Sequence, residues 1–145
     1  MDVLQLLKNE LKERQNDMYG FFHFESNQDW KQASQHLKAH LRLELEYLLP
    51  ELAAVSPKQD LPLLRFEADV LALSRQLEGL GRDKKPAQEQ LVELRDALDR
   101  HALLIEDRIL PLMRQRISTA DREELYDAMQ DAKQEIMRAT IVLAI

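Results

Sequence analysis

The amino-acid sequence predicts an all-α protein, arranged as an up-down-up-down four-helix bundle with an additional C-terminal helix. Three observations lead to this prediction. The chain is rich in Leu, Ala, Glu, Gln, Arg and Lys, the residues with the highest helix propensity. It has only three glycines and few aromatic residues, which favours helices over sheets. Its apolar residues recur at spacings of three, four and seven, the period of an amphipathic helix.

The length of 145 residues is that of one domain with a substantial core, so we expect residues 1–145 to form a single helical-bundle domain. Helices of this length that are joined by short loops pack as antiparallel neighbours. The predicted helices cover about 2–19, 28–54, 61–79, 87–116 and 120 to near the end.

Capping residues mark several of the predicted helix ends. Gly20 is a C-cap candidate for the first helix, and Ser26 or Asn27 can cap the second. Ser118 or Thr119 can cap the fifth, which continues with acidic residues near the positive end of the helix dipole. The stretches "SPKQDLP" and "GLGRDKKP" separate the second, third and fourth helices.

Each of the first four helices has an apolar face that we expect to point into the core. The predicted inward residues are Leu4, Leu7, Leu11 and Met18 in the first helix, Leu37, Leu41, Leu48 and Leu52 in the second, Leu63, Leu73 and Leu77 in the third, and Leu91, Leu94, Leu98, Ala102, Ile105, Ile109 and Leu112 in the fourth.

The composition also narrows the function classes. A net charge of −6 argues against nucleic-acid binding, which needs clustered positive charge. The longest apolar runs fall short of the roughly 18–20 residues that span a bilayer, and the N-terminus lacks the basic start of a signal peptide. There is no cysteine for disulfide or thiolate chemistry. We therefore expect a cytoplasmic protein that contacts neither nucleic acid nor membrane.

Two stretches share one pattern of residues. Residues 40–50 read "HLRLELEYLLP" and residues 101–111 read "HALLIEDRILP". Each begins with His, has a carboxylate four or five residues later, and reaches proline after ten.

In the first stretch, Glu44 lies in the middle of the apolar face of its helix and His40 lies at the edge of that face. A carboxylate in a core is costly unless it is paired, protonated or bound to a cation. Two residues four apart on one helix face can reach the same metal ion, so His40 and Glu44 are candidate ligands. Alternatively, Glu44 bonds a neighbouring Arg, Tyr or His.

In the second stretch, His101 and Glu106 lie on opposite flanks of the apolar face, about 140° apart. They can flank a metal site at the centre of a bundle, each reaching inward. The alternative is that both make ordinary hydrogen bonds at the edge of the core.

Taken together, these stretches resemble the hemerythrin-like family, also called HHE cation-binding domains, over nearly the whole chain. "MDVLQLLKNEL" resembles the first helix of the family, "HLKAHLRLELEYLLPEL" the second, and "HALLIEDRILPLMRQRISTADREELYDAMQDAK" the fourth with the start of the next. The most specific element is the His-to-Pro spacing of ten in both stretches.

Family members hold two iron ions with five histidines and two carboxylates, and the resemblance assigns only part of that set here. It matches His40 and Glu44 to the ligands of the second helix, and His101 and Glu106 to those of the fourth. The first helix has Glu10 followed by Leu11 where the family has an acidic residue followed by a ligand His, and the third has Phe66 and Val70 in place of two histidines. At most four of the seven ligands therefore remain.

Four other residues were considered as replacement ligands. Glu67 and Asp69 lie about 80° from the inward face of the third helix, so we expect solvated charges. His36, one turn before His40, is expected to face solvent, and His23 to pack in its loop. Any of the four remains open as a ligand from outside the usual set.

The resemblance and the missing ligands together suggest a degenerate hemerythrin-like domain without a di-iron oxygen-binding centre, which acts as a regulatory or protein-interaction module. Its expected contact surfaces are the "GFFHF" loop and the apolar C-terminal "ATIVLAI", which either packs on its own bundle or mediates self-association. The alternative is a sensor that binds a single metal ion, iron in the first instance, through a reduced site. We expect no enzymatic activity, because phosphate-binding loops and nucleophile–His–acid sets are absent from the sequence.

Overall fold

The structure is a computed structural model that describes residues 2–20, 27–81 and 83–144, with side chains for all of these except 18–20, 28 and 140–144. Five helices and no strand lie in these ranges, as the all-α prediction requires. The helices are α1, Val3–Gly20; α2, made of Asn27–Leu43, Glu44–Leu48 and Leu49–Ala54; α3, Leu61–Leu80; α4, made of Gln88–Leu104, Ile105–Ile109 and Leu110–Arg116; and α5, Thr119–Ala144.

Helices α2 and α4 each contain one π-helical turn, Glu44–Leu48 and Ile105–Ile109. Both turns end two residues before a proline, at Pro50 and Pro111. A proline inside a helix has no N–H to donate, and its ring clashes with the carbonyl four residues earlier. The wider π-turn accommodates this, and the N–H just before each proline bonds to a carbonyl five residues back. The two matching stretches of sequence therefore share one local backbone geometry.

The described members of the predicted inward faces are buried, with one exception at the end of α4. There Leu112 is half-buried, while its neighbour Met113 is fully buried. A π-turn contains more residues than an α-turn, so the inward face moves one position along the chain after Ile109. Leu112 still packs against the core, but Met113 takes the fully buried position that a regular α-helical period through Pro111 assigns to Leu112. Met18 of α1 lies outside the described side chains.

The helices pack so that each of the first four contacts its neighbours in the chain and the ring closes on itself. Helix α1 contacts α2, α2 contacts α3, α3 contacts α4, and α4 returns to α1. Helix α5 lies against α1 and α2, which it contacts through buried Leu125, Met129 and Ala132. The apolar C-terminal residues 140–145 lie outside the described side chains, as do the "GFFHF" loop and Ser26.

Polar contacts fix the ends of several helices. The Asp121 N–H donates to Ser118 Oγ at 3.1 Å, so Ser118 is the N-cap of α5, as predicted. Asn27, the first residue of α2, accepts the Lys85 N–H through its side-chain oxygen at 2.9 Å. The indole N–H of buried Trp30 donates to the Gly81 carbonyl at 2.9 Å, beyond the end of α3. Within the described part of the chain, no helix combines the length and apolar character needed to cross a membrane.

We expect Ser118→Ala to lower the free energy of unfolding by about 1 kcal/mol, because the Asp121 N–H loses its capping acceptor. The matched control is Ser74→Ala in the interior of α3, where alanine has the higher helix propensity and stability is unchanged or slightly raised. Urea denaturation followed by circular dichroism measures both effects. Equal effects of the two substitutions would contradict the assignment of Ser118 as the cap.

Candidate functional site

A carboxylate lies fully buried at the centre of the protein, with an imidazole against each of its oxygens. Glu44 has no solvent exposure, and its Oε1 lies 2.6 Å from His40 Nε2. Its Oε2 lies 2.6 Å from His101 Nε2. His40 and Glu44 lie four residues apart on α2, and His101 reaches the same carboxylate from α4. Both acceptor oxygens of Glu44 are therefore occupied by protein groups.

The far side of each imidazole meets a second carboxylate. His101 Nδ1 lies 2.5 Å from Asp69 Oδ2 of α3. His40 Nδ1 lies 3.7 Å from Glu10 Oε2 of α1, and Glu10 is in turn paired with Lys133 of α5. The charged groups therefore alternate in sign along a chain.

We call this chain the core network. It links all five helices, since each contributes at least one member. Its members, in order across the protein, are Lys133, Glu10, His40, Glu44, His101 and Asp69.

Apolar side chains enclose the centre of the core network. Phe66 of α3 stacks on the His101 ring, with centroids 5.9 Å apart and planes 20° from parallel. Phe66 and Val70, which stand where the family resemblance leads us to expect histidines, are completely buried. The two ends of the network are partly open, because the side chains of Lys133 and Asp69 are about a third exposed.

The pKa values of the four central members, Glu10, His40, Glu44 and His101, are shifted towards the charged forms. Burial opposes ionisation of Glu44, but the charges of His101 and His40 outweigh it and lower the Glu44 pKa to about 2. Burial likewise favours a neutral His101, but Glu44 and Asp69 raise its pKa to about 10. The pKa of His40 is also raised against burial, by Glu44 and Glu10. The Glu10 pKa falls to about 2 despite burial, because His40 and Lys133 lie beside its carboxylate and stabilise the charged form.

These shifts describe a network with both imidazoles protonated. Lys133, His40 and His101 then supply three positive charges against the three carboxylates, so the six members together are neutral. Buried Arg14 also lies 3.8 Å from Glu10, and it has Glu13 and Asp17 as further carboxylate partners. Three of the four imidazole nitrogens lie within 2.6 Å of a carboxylate oxygen, and the fourth, His40 Nδ1, lies 3.7 Å from one. In this state the arrangement stores protons and joins helices, and it presents no free nucleophile or base.

A metal ion at this position needs the Nε2 atoms of His40 and His101 as unprotonated donors. In the structure these atoms face the oxygens of Glu44 instead. No group of three or more His, Cys, Asp or Glu side chains among the described residues is arranged to hold a metal ion. One feature does suit a metal, since Asp69 behind His101 is the kind of partner that metal-bound histidines have.

The structure brings together three of the four predicted metal ligands, His40, Glu44 and His101. The fourth, Glu106, lies in the π-turn of α4 and is exposed. It does not reach inward, because the apolar side chains of Ile105 and Ile109 take up the buried side of that turn.

The residues considered as replacement ligands are distributed as follows. Glu67 is exposed, as predicted. Asp69 is not a solvated charge, because His101 lies within hydrogen-bonding distance. His36 is half-buried rather than solvent-facing, and its Nδ1 lies 3.4 Å from Arg14 Nη1. Burial together with the Arg14 charge lowers the His36 pKa. His23 lies outside the described residues.

The places of Glu10 and Lys133 in the core network were not predicted, although both residues follow the helical period. Buried Val3, Leu7, Glu10 and Arg14 are spaced four, three and four apart on α1. On α5, Lys133 continues the spacing of four set by Leu125 and Met129. Opposite charges at apolar positions of two different helices were the available signal that these helices meet there.

We expect Glu44→Ala to destabilise the protein by about 3–5 kcal/mol, because two buried imidazolium groups lose their shared counter-charge. The matched control is Glu46→Ala on the same helix. Glu46 pairs only with Arg42 at the surface, so its loss costs about 0.5 kcal/mol or less. Chemical denaturation at pH 7 gives both values. A cost for Glu44→Ala as small as that of the control would contradict the ionised network.

Stability is expected to fall as pH rises above neutrality. The His101 pKa is about 10 in the folded protein and about 6.5 in the unfolded chain, so folding takes up a proton between these values. The stabilisation is complete below about pH 6.5 and is lost as pH approaches 10. His101 contributes a slope of about −1.4 kcal/mol per pH unit in this window, and His40, whose pKa is also raised, adds a slope of the same sign.

Denaturation between pH 6 and pH 9 measures this slope, and His101→Asn should remove its share of it. A flat profile for the unmodified protein would contradict protonation of the pair. In acid the sign reverses, because Glu10 and Glu44 have pKa values of about 2 in the folded state. Their stabilisation is present above about pH 4.5 and is lost as pH falls towards 2.

Comparison of the chain with protein-family models, with curated proteins and with solved structures finds no match in any of the three. The functional interpretation therefore rests on the residues and geometry described above.

Proposed function

We propose that the chain is a degenerate hemerythrin-like domain whose metal centre is replaced by the protonated core network, and that it acts as a non-enzymatic regulatory or protein-interaction module. In this proposal α1 to α4 form the up-down-up-down bundle of that family and α5 is the addition. The closed ring of contacts from α1 to α4, with α5 against α1 and α2, supports the arrangement.

One observation carries the proposal. Both oxygens of Glu44 are engaged by the Nε2 atoms of His40 and His101 at 2.6 Å, so three matched ligand positions bind one another. The neighbouring positions on α3 are filled by buried Phe66 and Val70, which leave an apolar wall where the family places ligands.

The burial of the network supports a role without catalysis. Glu44 and His101 have no solvent exposure, so a substrate cannot contact them in this conformation. A neutral network with a buried centre, shared by five helices, stabilises the fold instead. What remains for function is the outer surface, and an interaction module acts through its surface.

The second candidate function is a metal-binding sensor with a single ion, iron in the first instance. It is favoured by the convergence of two histidines on one carboxylate, a donor set that suits iron. Asp69 would orient His101 as a carboxylate does behind a metal-bound imidazole. Of the four predicted ligands, His40, Glu44 and His101 would hold the ion, without exposed Glu106.

Elemental analysis of untagged protein, purified from iron-supplemented medium, separates the two candidates. We expect well under one metal ion per chain, and a melting temperature that does not change when a chelator is added. A bound ion would stabilise the native state and make the melting temperature sensitive to the chelator.

The control variants are His101→Ala and His36→Ala. Close to one ion per chain, lost in His101→Ala and retained in His36→Ala, would replace the proposed function with the metal-binding one.

A further inference from the structure

The most exposed large apolar side chain among the described residues lines a groove between α3 and α4. Leu61 is 77% exposed and Leu64 is 49% exposed, at the start of α3. They line the groove with Pro62 and with half-buried Leu104 of α4. Leu64 also borders a second groove on its other side, along Leu49, Pro50 and Ala53 of α2. An apolar strip therefore crosses the start of α3.

The charged side chains that line the first groove are both arginines. Arg65 of α3 and Arg108 of α4 are exposed there. Neither makes an ion pair or a hydrogen bond with another described side chain. Half-buried Arg116, by contrast, pairs with Asp60. The groove is thus a locally basic surface on a chain of net charge −6.

From these two features we propose that the groove binds an acidic amphipathic helix of a partner protein. An amphipathic helix laid in a groove buries apolar side chains at spacings of three and four. Leu61, Leu64 and Leu104 offer such side chains an apolar contact surface. Carboxylates at the edge of that helix find two free guanidinium groups, which bind carboxylates through paired N–H donors. The proposal rests on the proposed function, since it names the surface and the partner chemistry of the interaction module.

The positive charge of the first groove favours a negatively charged partner. The second groove carries Lys58, Glu67 and Asp60, and the last is tied to Arg116, so its charges are mixed. An acidic helix is therefore favoured by Arg65 and Arg108, with the second groove supplying apolar contact.

The test uses two labelled synthetic peptides with the same leucines at helical spacing, one flanked by glutamates and the other by lysines. Fluorescence anisotropy measures binding to the full chain, and amide NMR shifts locate it. We expect the glutamate peptide to bind at least about tenfold more tightly than the lysine peptide, from two charge contacts. The shifts should centre on Leu61, Leu64 and Arg108.

The double variant Arg65→Glu/Arg108→Glu should reverse the preference between the peptides. Because both side chains are exposed, this variant should keep the fold, which circular dichroism checks. The matched control is Arg100→Glu, an exposed arginine of α4 that does not line the groove, and it should keep the preference for the glutamate peptide.

Three results would overturn the proposal. The first is equal binding of the two peptides, and the second is a set of NMR shifts centred away from the groove. The third is self-association in sedimentation equilibrium that the double variant abolishes, because the occupant would then be a second copy of the chain. None of these three results contradicts the proposed function itself. That function would instead be contradicted by a stoichiometric metal content, whatever the peptides do.

Discussion

The rest of the structure depends on the neutralisation of one buried carboxylate. Glu44 lies in the centre of the core, and a buried charge without a partner is far too costly to keep. It is neutralised by His40 from its own helix and His101 from α4. The protonated imidazoles need counter-charges in turn, which Asp69 and Glu10 supply. The network ends at Asp69 and Lys133, whose side chains are partly exposed to solvent. The packing of α3, α4 and α1 around α2 satisfies that requirement.

The two π-turns lie at equivalent positions in the sequence, each beginning four residues after a buried histidine, His40 in α2 and His101 in α4. Glu44 begins one turn, and the other begins four residues after His101. Both exist because a proline follows within the same helix, and both end two residues before it. The equal His-to-Pro spacing of the two stretches thus corresponds to a shared backbone geometry. The carboxylates of the two stretches are not placed alike, because Glu44 is buried and Glu106, in the second turn, is exposed to solvent.

The parts of the structure that follow from local periodicity were predictable, and those that depend on contacts between helices were not. The burial of Glu44, His40, Phe66 and Val70 followed from the helical period, and so did the five helices. The pairing of His101 with Asp69 did not follow from the helical period. A residue about 80° from an inward face still reaches a neighbouring helix when that helix packs on the same side. For the same reason Asp69 was assigned to solvent. The pairing of Glu10 with Lys133 joins positions 123 residues apart, which no local pattern reveals.

A polar network in a small core is retained at a cost, since apolar side chains of similar volume often give equal or greater stability. This cost bears on the choice between a protonated network and a metal. With a His101 pKa of about 10, removing its proton at pH 7 costs about 4 kcal/mol. A metal must overcome that cost before it gains a ligand, and the buried apolar side chains of Phe66 and Val70 on α3 offer it no ligand atoms. Protons therefore compete well for this site, which favours the metal-free module over the sensor. A change that moves Asp69 away from His101 should therefore lower the cost for a metal, because it removes one of the two carboxylates that hold the proton.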